Sequence, residues 1–329
     1  MRPRSPRRCA RPPGSAAAAP RAVRADARHG RLDWERDGRD WPNRAASGFV
    51  QAGGLRWHVQ SFDSAGDAPT VLLLHGTGAA THSWRGLAPR LAESWRVLAP
   101  DLPGHGFTDL PDARGLSLPG MAEAVAGLLA ATATRPDLIV GHSAGAAIAA
   151  RLVLDGHAAP RGLVGLNPAF LPFGGLPGQL FSPAARWLGG LSAAPKLFAR
   201  LGESPAVLDR LLRGTGSEIG DEGRRGYATL VANPGHVAGA LGMMANWDLR
   251  PLERDLPRLP CPLLMIVGAR DTTVPPEQAY RVQRRVPGST VETLAGLGHL
   301  AHEERPDQVA ARISAFMARL GIAAAPTRG

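Results

Sequence analysis

One serine in this chain stands in a setting that could make it a nucleophile. Ser143 is the centre of Gly141-His142-Ser143-Ala144-Gly145, which fits the pattern G-x-S-x-G. The pattern follows a short apolar run and precedes an alanine-rich stretch, which is the strand–turn–helix context that this motif needs. Glycines on both sides permit a turn tight enough to present the hydroxyl at the positive end of the helix. The pattern predicts a nucleophile, and a chance glycine–serine turn is the alternative.

A serine hydroxyl needs a base, and the base needs a carboxylate that orients it. Asp271 follows an apolar run at residues 263–267, and His299 follows the last predicted strand in Gly296-Leu297-Gly298-His299. Serine, acid and histidine therefore occur in an order that hydrolytic triads use. We predict that Ser143, Asp271 and His299 form a catalytic triad.

Other interpretations of these positions remain open. His302 is the rival base, but it belongs to the run that leads into the last helix and has no flexible glycine before it. Asn167 ends the strand after the nucleophile helix, where some hydrolases place their acid, yet an amide cannot stabilise an imidazolium as a carboxylate does. Asp271 could instead cap a helix, and His299 could be a structural loop histidine.

Acyl transfer also needs donors for an oxyanion, and backbone N–H groups serve best because they are fixed before the reaction. Ala144, the residue after the nucleophile, is expected to supply one. The loop His75-Gly76-Thr77-Gly78 is expected to supply the other from Thr77, with Gly78 as the alternative donor and a plain glycine turn as the alternative structure. The residues expected to contact substrate are Gly76, Gly78, His142, Phe170, Met244 and Trp247.

The elements that must position these residues are short apolar runs alternating with helical patterns. This alternation predicts an α/β fold whose parallel sheet is covered on both faces. The predicted strands are 55–60, 71–75, 97–101, 138–142, 163–166, 263–267 and 291–294, and the predicted helices are 118–131, 144–155, 277–286 and 307–320.

Residues 168–250 interrupt the alternation with many glycines, prolines and aromatic residues. Helical patterns occur there at 184–191, 206–212 and 223–232. We predict an inserted helical cap over the carboxyl edge of the sheet, which is where ligands bind in open α/β folds. The core is then divided into residues 32–167 and 251–322, and residues 323–329 are expected to form a flexible tail.

The net charge of +10 arises mainly in the first 31 residues, which hold nine arginines and one acidic residue. The rest of the chain carries only +2 and is not expected to bind nucleic acid. Residues 1–31 are rich in Arg, Pro and Ala and predict disorder. We interpret them as an extension without a specific role or as the product of a mis-assigned start codon. The alternative is a weak contact with an acidic surface.

Other chemistries find little support in the sequence. Cys9 and Cys261 form no metal or redox spacing and are expected to be free thiols in a reducing, cytoplasmic compartment. The chain has neither a phosphate-binding loop nor a dinucleotide motif, and His302-Glu303-Glu304 lacks the second histidine of a zinc-protease motif. No run of 18 apolar residues occurs. We expect no cofactor, no metal and no transmembrane segment.

Four segments together resemble the α/β-hydrolase superfamily. The resemblance extends from about residue 47 to residue 321 and implies a mostly parallel eight-stranded sheet, helices on both faces and an inserted helical cap. Membership of the superfamily does not determine the reaction. The segments are His75–Gly78, Asp101–Gly106, Gly141–Gly145 and Gly298–His299.

Further runs are similar to one branch, the α/β-hydrolases of bacterial photosynthesis gene clusters that are named magnesium-chelatase accessory proteins. This resemblance implies a role in bacteriochlorophyll synthesis. The chelatase motor is an ATPase, and this chain has no nucleotide loop, so it is not that motor. Members begin close to Leu32-Asp33-Trp34, which favours a misplaced start. The similar runs are 40–47, 54–60, 75–84, 171–183 and 233–247.

Three hypotheses follow for function. The leading one is a serine hydrolase that cleaves a carboxylic ester of a bulky apolar substrate, a tetrapyrrole intermediate by resemblance. The second is a non-catalytic protein that binds a tetrapyrrole or magnesium-chelatase subunits, and the third is a general esterase outside pigment synthesis. The complete set of nucleophile, base, acid and oxyanion loop argues against the second, because a pure binder needs none of them.

Overall fold

The computed structural model describes residues 30–63, 68–172 and 193–324. Several sequence predictions lie outside these residues: the helix at 184–191, nearly all of the basic segment 1–31 and most of the tail 323–329. Most of the similar run at 171–183 also lies outside them. No helix of the described ranges is long and apolar enough to cross a membrane.

A sheet of eight strands forms the centre of the described structure, as the resemblance implied. Seven of them correspond to the predicted strands, and Ser47–Ala52 was not predicted. The strands are β1 Ser47–Ala52, β2 Leu55–Phe62, β3 Thr70–Leu74, β4 Arg96–Pro100, β5 Leu138–His142, β6 Gly162–Leu166, β7 Leu263–Gly268 and β8 Ser289–Leu294. Their order is β1-β2-β4-β3-β5-β6-β7-β8. β2 pairs antiparallel with β1 and β4, and every other pairing is parallel. The mostly parallel sheet is therefore confirmed.

Helices cover both faces of the sheet. The α-helices are α1 Trp34–Asp37, α2 Leu87–Ala92, α3 Leu118–Ala131, α4 Ala144–Leu154, α5 Ala194–Gly202, α6 Pro205–Arg213, α7 Asp221–Val231, α8 Pro234–Ala245, α9 Arg250–Asp255, α10 Glu277–Gln283, α11 Ala301–Glu304 and α12 Pro306–Arg319. Short 3₁₀ helices occur at Arg44–Ala46, Thr81–Trp84 and Leu256–Arg258.

Alternate residues of each central strand enter different cores. In β5, Ile139 packs with α3 and α4 on one face, whereas Leu138 and Val140 pack with α2 and α12 on the other. A strand covered on both faces must be apolar at every position, because no side chain reaches water. This is why the central strands are visible in the sequence as continuous apolar runs.

Five described α-helices, α5 to α9, lie between β6 and β7. We call the described residues 193–249, which hold α5 to α8, the insertion. The helical patterns at 206–212 and 223–232 are confirmed as α6 and α7. The prediction missed α8, whose glycines resemble a loop. Gly239 of α8 is required by packing, because a Cβ there would lie 1.8 Å from the carbonyl oxygen of Gly104.

The glycines that flank Ser143 lead to a test of the fold. A Cβ on Gly145 would lie 2.1 Å from the carbonyl oxygen of Leu74, and this backbone cannot move aside easily. We expect Gly145→Ala to lower the free energy of unfolding by about 1–3 kcal/mol, although alanine is the better helix former. Urea unfolding measures the change.

The matched control is Gly127→Ala in α3, where an added Cβ meets no atom within 4 Å. Helix propensity should make this variant more stable, by up to about 1 kcal/mol. Equal effects of the two substitutions would contradict the packing argument.

Candidate active site

Ser143 occupies a strained turn between β5 and α4. Its backbone has φ 51° and ψ −118°, a left-handed region that non-glycine residues rarely adopt. Its N–H donates to the carbonyl oxygen of Leu166 at 2.9 Å, and its carbonyl oxygen accepts from Ala146 and Ala169 at 3.1 Å. A Cβ on Gly141 would lie 2.4 Å from the backbone of Ala146, so this turn requires glycine there.

Asp271 and His299 form a direct pair at the carboxyl edge of the sheet. His299 Nδ1 lies 2.7 Å from Asp271 Oδ2, and both side chains are buried. The other oxygen, Oδ1, accepts from the N–H groups of Thr273 and Val274 at 2.8 and 2.9 Å. One carboxylate therefore both closes its own turn and contacts the imidazole. The alternative that Asp271 caps a helix is wrong, because the next helix begins at Glu277 with Pro276 as its N-cap.

Packing places Ser143 at the same edge of the sheet. His142, its neighbour in the chain, lies with its ring centroid 4.7 Å from that of His299, and its Nε2 is 3.0 Å from the His299 carbonyl oxygen. Burial lowers the pKa of His142 well below its ordinary value. A neutral His142 can therefore donate through Nε2 and hold the backbone of His299.

The loop with the expected oxyanion donors passes over Ser143. A Cβ on Gly76 would lie 2.9 Å from His142 Nδ1 and 3.0 Å from Ser143 Cβ, so glycine favours this close approach. Thr77 donates its hydroxyl to Met243 Sδ of α8 at 3.3 Å, and His236 Nε2 lies 3.2 Å from the Gly78 carbonyl oxygen. Ala144 is the first residue of α4, so no earlier turn of that helix offers its N–H an acceptor.

The six residues expected to contact substrate occupy different environments. Gly76 and Gly78 lie in the loop beside Ser143, and Met244 and Trp247 are partly exposed. His142 and Phe170 are 3% and 1% exposed, so neither offers a surface to a ligand in this conformation. We correct their assignment, since His142 holds the backbone of His299 and Phe170 packs over Gly165.

Asn167 contributes more to the site than its sequence position suggested. Its Nδ2 donates to Asp271 Oδ2 at 2.8 Å and to the Gly298 carbonyl oxygen at 3.3 Å. The residue is buried and has φ 46°. The amide thus links the acid to the loop of the histidine. Its place at the end of β6 was the available signal, but the sequence pattern indicated this position only as a rival site for the acid.

His302 is unsuited to act as a base. It is 1% exposed, with its ring between those of Trp84 and His142 at centroid distances of 4.8 and 4.4 Å. Burial, together with the positive charge of Arg85, lowers the pKa of His302 to about 3. It therefore remains neutral and packed near neutral pH.

Asp101, in another of the four segments, organises the adjacent loops. Its Oδ1 accepts from Thr81 N–H at 2.7 Å, and its Oδ2 accepts from Phe107 N–H at 2.9 Å and lies 2.8 Å from His58 Nδ1. Burial alone would raise the pKa of Asp101, but the pairing with His58, the nearby His75 and the Phe107 N–H together lower it. The Asp101 carboxylate thus holds three neighbouring segments together.

Within the described residues, no group of three His, Cys, Asp or Glu could hold a metal ion.

Comparison with known proteins identifies the class. Residues 71–312 match the model of the alpha/beta hydrolase family, so the chain belongs to this family. A solved structure described as an alpha/beta hydrolase fold protein from Burkholderia ambifaria superposes with a TM-score of 0.69 at 24% identity, covering 87% of this chain and 98% of that one. The fold and the order of its strands agree with this membership.

Two relatives are more specific. The chain is 39% identical over 274 residues to the magnesium-chelatase 30 kDa subunit of Rhodobacter capsulatus, which covers 83% of this chain and 95% of the relative. It is 29% identical over 271 residues to the pimeloyl-[acyl-carrier protein] methyl ester esterase of Aeromonas hydrophila, which covers 78% of this chain and 98% of that relative. The resemblance to the chelatase-associated branch is confirmed.

The buried histidines lead to a prediction of pH dependence. The folded chain keeps His302 neutral down to pH about 3, whereas the unfolded chain protonates it below pH about 6.5. The unfolded state then binds more protons, so stability falls as the pH drops through this window. Burial also lowers the pKa of five other described histidines: His75, His82, His105, His142 and His236.

We expect His302→Leu to reduce the slope of unfolding free energy against pH by about 1.4 kcal/mol per pH unit between pH 6 and 4, because one proton fewer is taken up. Urea unfolding at several pH values measures this slope. His157→Leu removes an exposed histidine and is the matched control. An unchanged slope in His302→Leu would show that the buried ring does not resist protonation.

Proposed function

We propose that this protein is a serine hydrolase that cleaves a carboxylic ester through an acyl-enzyme on Ser143. The observation that carries the proposal is the 2.7 Å contact between Asp271 Oδ2 and His299 Nδ1, beside the strained turn of Ser143. A proton on Nδ1 leaves Nε2 free to accept the serine proton. Membership of the hydrolase family supports this reaction class.

In the proposed mechanism His299 acts in turn as general base and general acid. His299 takes the proton of Ser143 as the hydroxyl attacks the ester carbonyl, and Asp271 stabilises the imidazolium that forms. The N–H groups of Thr77 and Ala144 hold the oxyanion of the tetrahedral intermediate. The intermediate then expels the alcohol, which takes the proton from His299. A water that gives its proton to His299 attacks the acyl-enzyme, and His299 returns that proton to Ser143 as the carboxylic acid leaves. The approach of Gly76 to Ser143 supports this role for the loop.

The substrate class rests on the relatives and on the partly exposed apolar residues. One relative is named a methyl ester esterase and another a magnesium-chelatase subunit. We propose an ester of a tetrapyrrole intermediate, in contact with Met244 and Trp247 of a helical cap that the insertion forms. We propose the cytoplasm as its compartment and magnesium-chelatase subunits as partners.

A second candidate is a non-catalytic accessory protein that binds a tetrapyrrole or a chelatase subunit. The name of the 39% identical relative favours it, because that name gives a subunit rather than an enzyme. The two candidates differ in whether Ser143 is an activated nucleophile, which a chemical probe can measure directly.

We expect a fluorescent fluorophosphonate to label the wild-type protein and not Ser143→Ala, because only an activated serine attacks the probe. In-gel fluorescence measures the labelling. Ser204→Ala, an exposed serine of the insertion, is the matched control and should label fully. Absence of labelling in folded wild-type protein would reject the serine-hydrolase proposal and favour the accessory protein.

Asn167 leads to a second test. We expect Asn167→Ala to lower kcat by about tenfold at nearly unchanged KM, because Asp271 Oδ2 loses a donor and the imidazole loses its fixed partner. Asn167→Asp should move the acid limb of the kcat/KM profile to higher pH, because a second carboxylate favours the protonated imidazolium. Hydrolysis of p-nitrophenyl butyrate between pH 5 and 9 measures both, and wild-type profiles in both variants would contradict this role.

A further inference from the structure

The turn that carries His299 is held by residues of the insertion as well as by the core. We call residues 214–217, between α6 and α7, the coupling loop. The N–H of His299 donates to the carbonyl oxygen of Thr215 at 3.0 Å. The N–H of Leu300 donates to Ser217 Oγ at 2.8 Å. Two consecutive N–H groups of the histidine turn are thus satisfied by the coupling loop.

The two backbones also approach each other closely, because both segments have glycine at the contact. A Cβ on Gly298 would lie 2.4 Å from both Gly216 C and Ser217 Oγ. A Cβ on Gly216, where φ is +73°, would lie 2.0 Å from the carbonyl oxygen of Arg270. The coupling loop therefore packs tightly between the turn that carries His299 and the turn that carries Asp271.

Further contacts join the coupling loop to both turns. Thr272, the residue after Asp271, donates its hydroxyl to the Gly214 carbonyl oxygen at 2.9 Å. The carboxylate of Glu304 accepts from Gly298 N–H at 2.8 Å and from Glu218 N–H at 3.2 Å, so it bridges the two sides. The loop thus contacts the neighbours of Asp271 as well as those of His299.

The coupling loop is itself fixed to α6. Thr215 Oγ1 donates to the Leu212 carbonyl oxygen at 2.6 Å and accepts from Ser217 N–H at 3.2 Å. Thr215 and Gly216 also donate their N–H groups to Leu212 and Arg213. These hydrogen bonds therefore fix the position of Ser217 Oγ relative to the C-terminal end of α6.

We propose that Ser217 is a positioning residue for His299, by which the insertion sets the direction of the imidazole. The inference rests on the proposed function, because it assigns the imidazole to catalysis. Ser217 is buried, and its loss would leave the Leu300 N–H without an acceptor in the protein interior. The turn would then relax, and a displacement of about 1 Å at a catalytic group can cost about a hundredfold in rate.

The first test is kinetic. We expect Ser217→Ala to lower kcat on p-nitrophenyl butyrate by about ten- to hundredfold at similar KM, with fluorophosphonate labelling slowed in parallel. Ser217→Thr keeps the hydroxyl and should retain most of the turnover. Ser204→Ala is the control in the same insertion. Circular dichroism and the unfolding midpoint identify any variant that has lost its fold.

The second test does not depend on activity. The proton shared by His299 Nδ1 and Asp271 should give a proton NMR signal far downfield of the amides, absent in His299→Ala. We expect this signal in wild type and Ser204→Ala, and its broadening or loss in Ser217→Ala. An unchanged signal in Ser217→Ala, or none in wild type, overturns the inference. Failure of the proposed function would give a different result: the wild-type protein would keep the downfield NMR signal but would not react with the fluorophosphonate.

Discussion

The close approach of three backbone segments around Ser143 is the constraint on which the rest of the site depends. The left-handed turn of Ser143 is possible because Gly141 and Gly145 let α4 start directly against the end of β3. Gly76 brings the neighbouring loop against the serine in the same way. A side chain at Gly141 or Gly145 would collide with backbone atoms, and one at Gly76 would crowd the side chains of His142 and Ser143. The site therefore depends on the close packing of these three segments.

Around this turn, residues at the ends of adjacent strands hold Asp271 and His299. His142 at the end of β5 and Asn167 after β6 reach the carbonyl oxygens of His299 and Gly298. Both side chains are buried, and a neutral His142 can donate without the cost of a buried charge. The geometry of the Asp271–His299 pair is therefore determined by polar groups that never need to touch a substrate.

The insertion also contacts the segments that carry the candidate site residues. Met243 and His236 of α8 contact the loop at residues 77–78, and the coupling loop contacts the turns of Asp271 and His299. The insertion is thus joined to the loops that carry the candidate site residues. An insertion with these contacts can influence reactivity as well as the shape of a pocket.

The sequence alone determined the central strands, the main helices of the core and the candidate triad, because burial on both faces and tight turns leave local patterns. It could not determine which polar groups meet in the interior. Asn167 and Asp271 are 104 residues apart in the chain, and Ser217 and Leu300 are 83 apart. No sequence spacing encodes such pairs, and no local pattern indicated that Phe170 would be buried. Only the folded chain decides them, because their contacts arise where separate loops converge at one edge of the sheet.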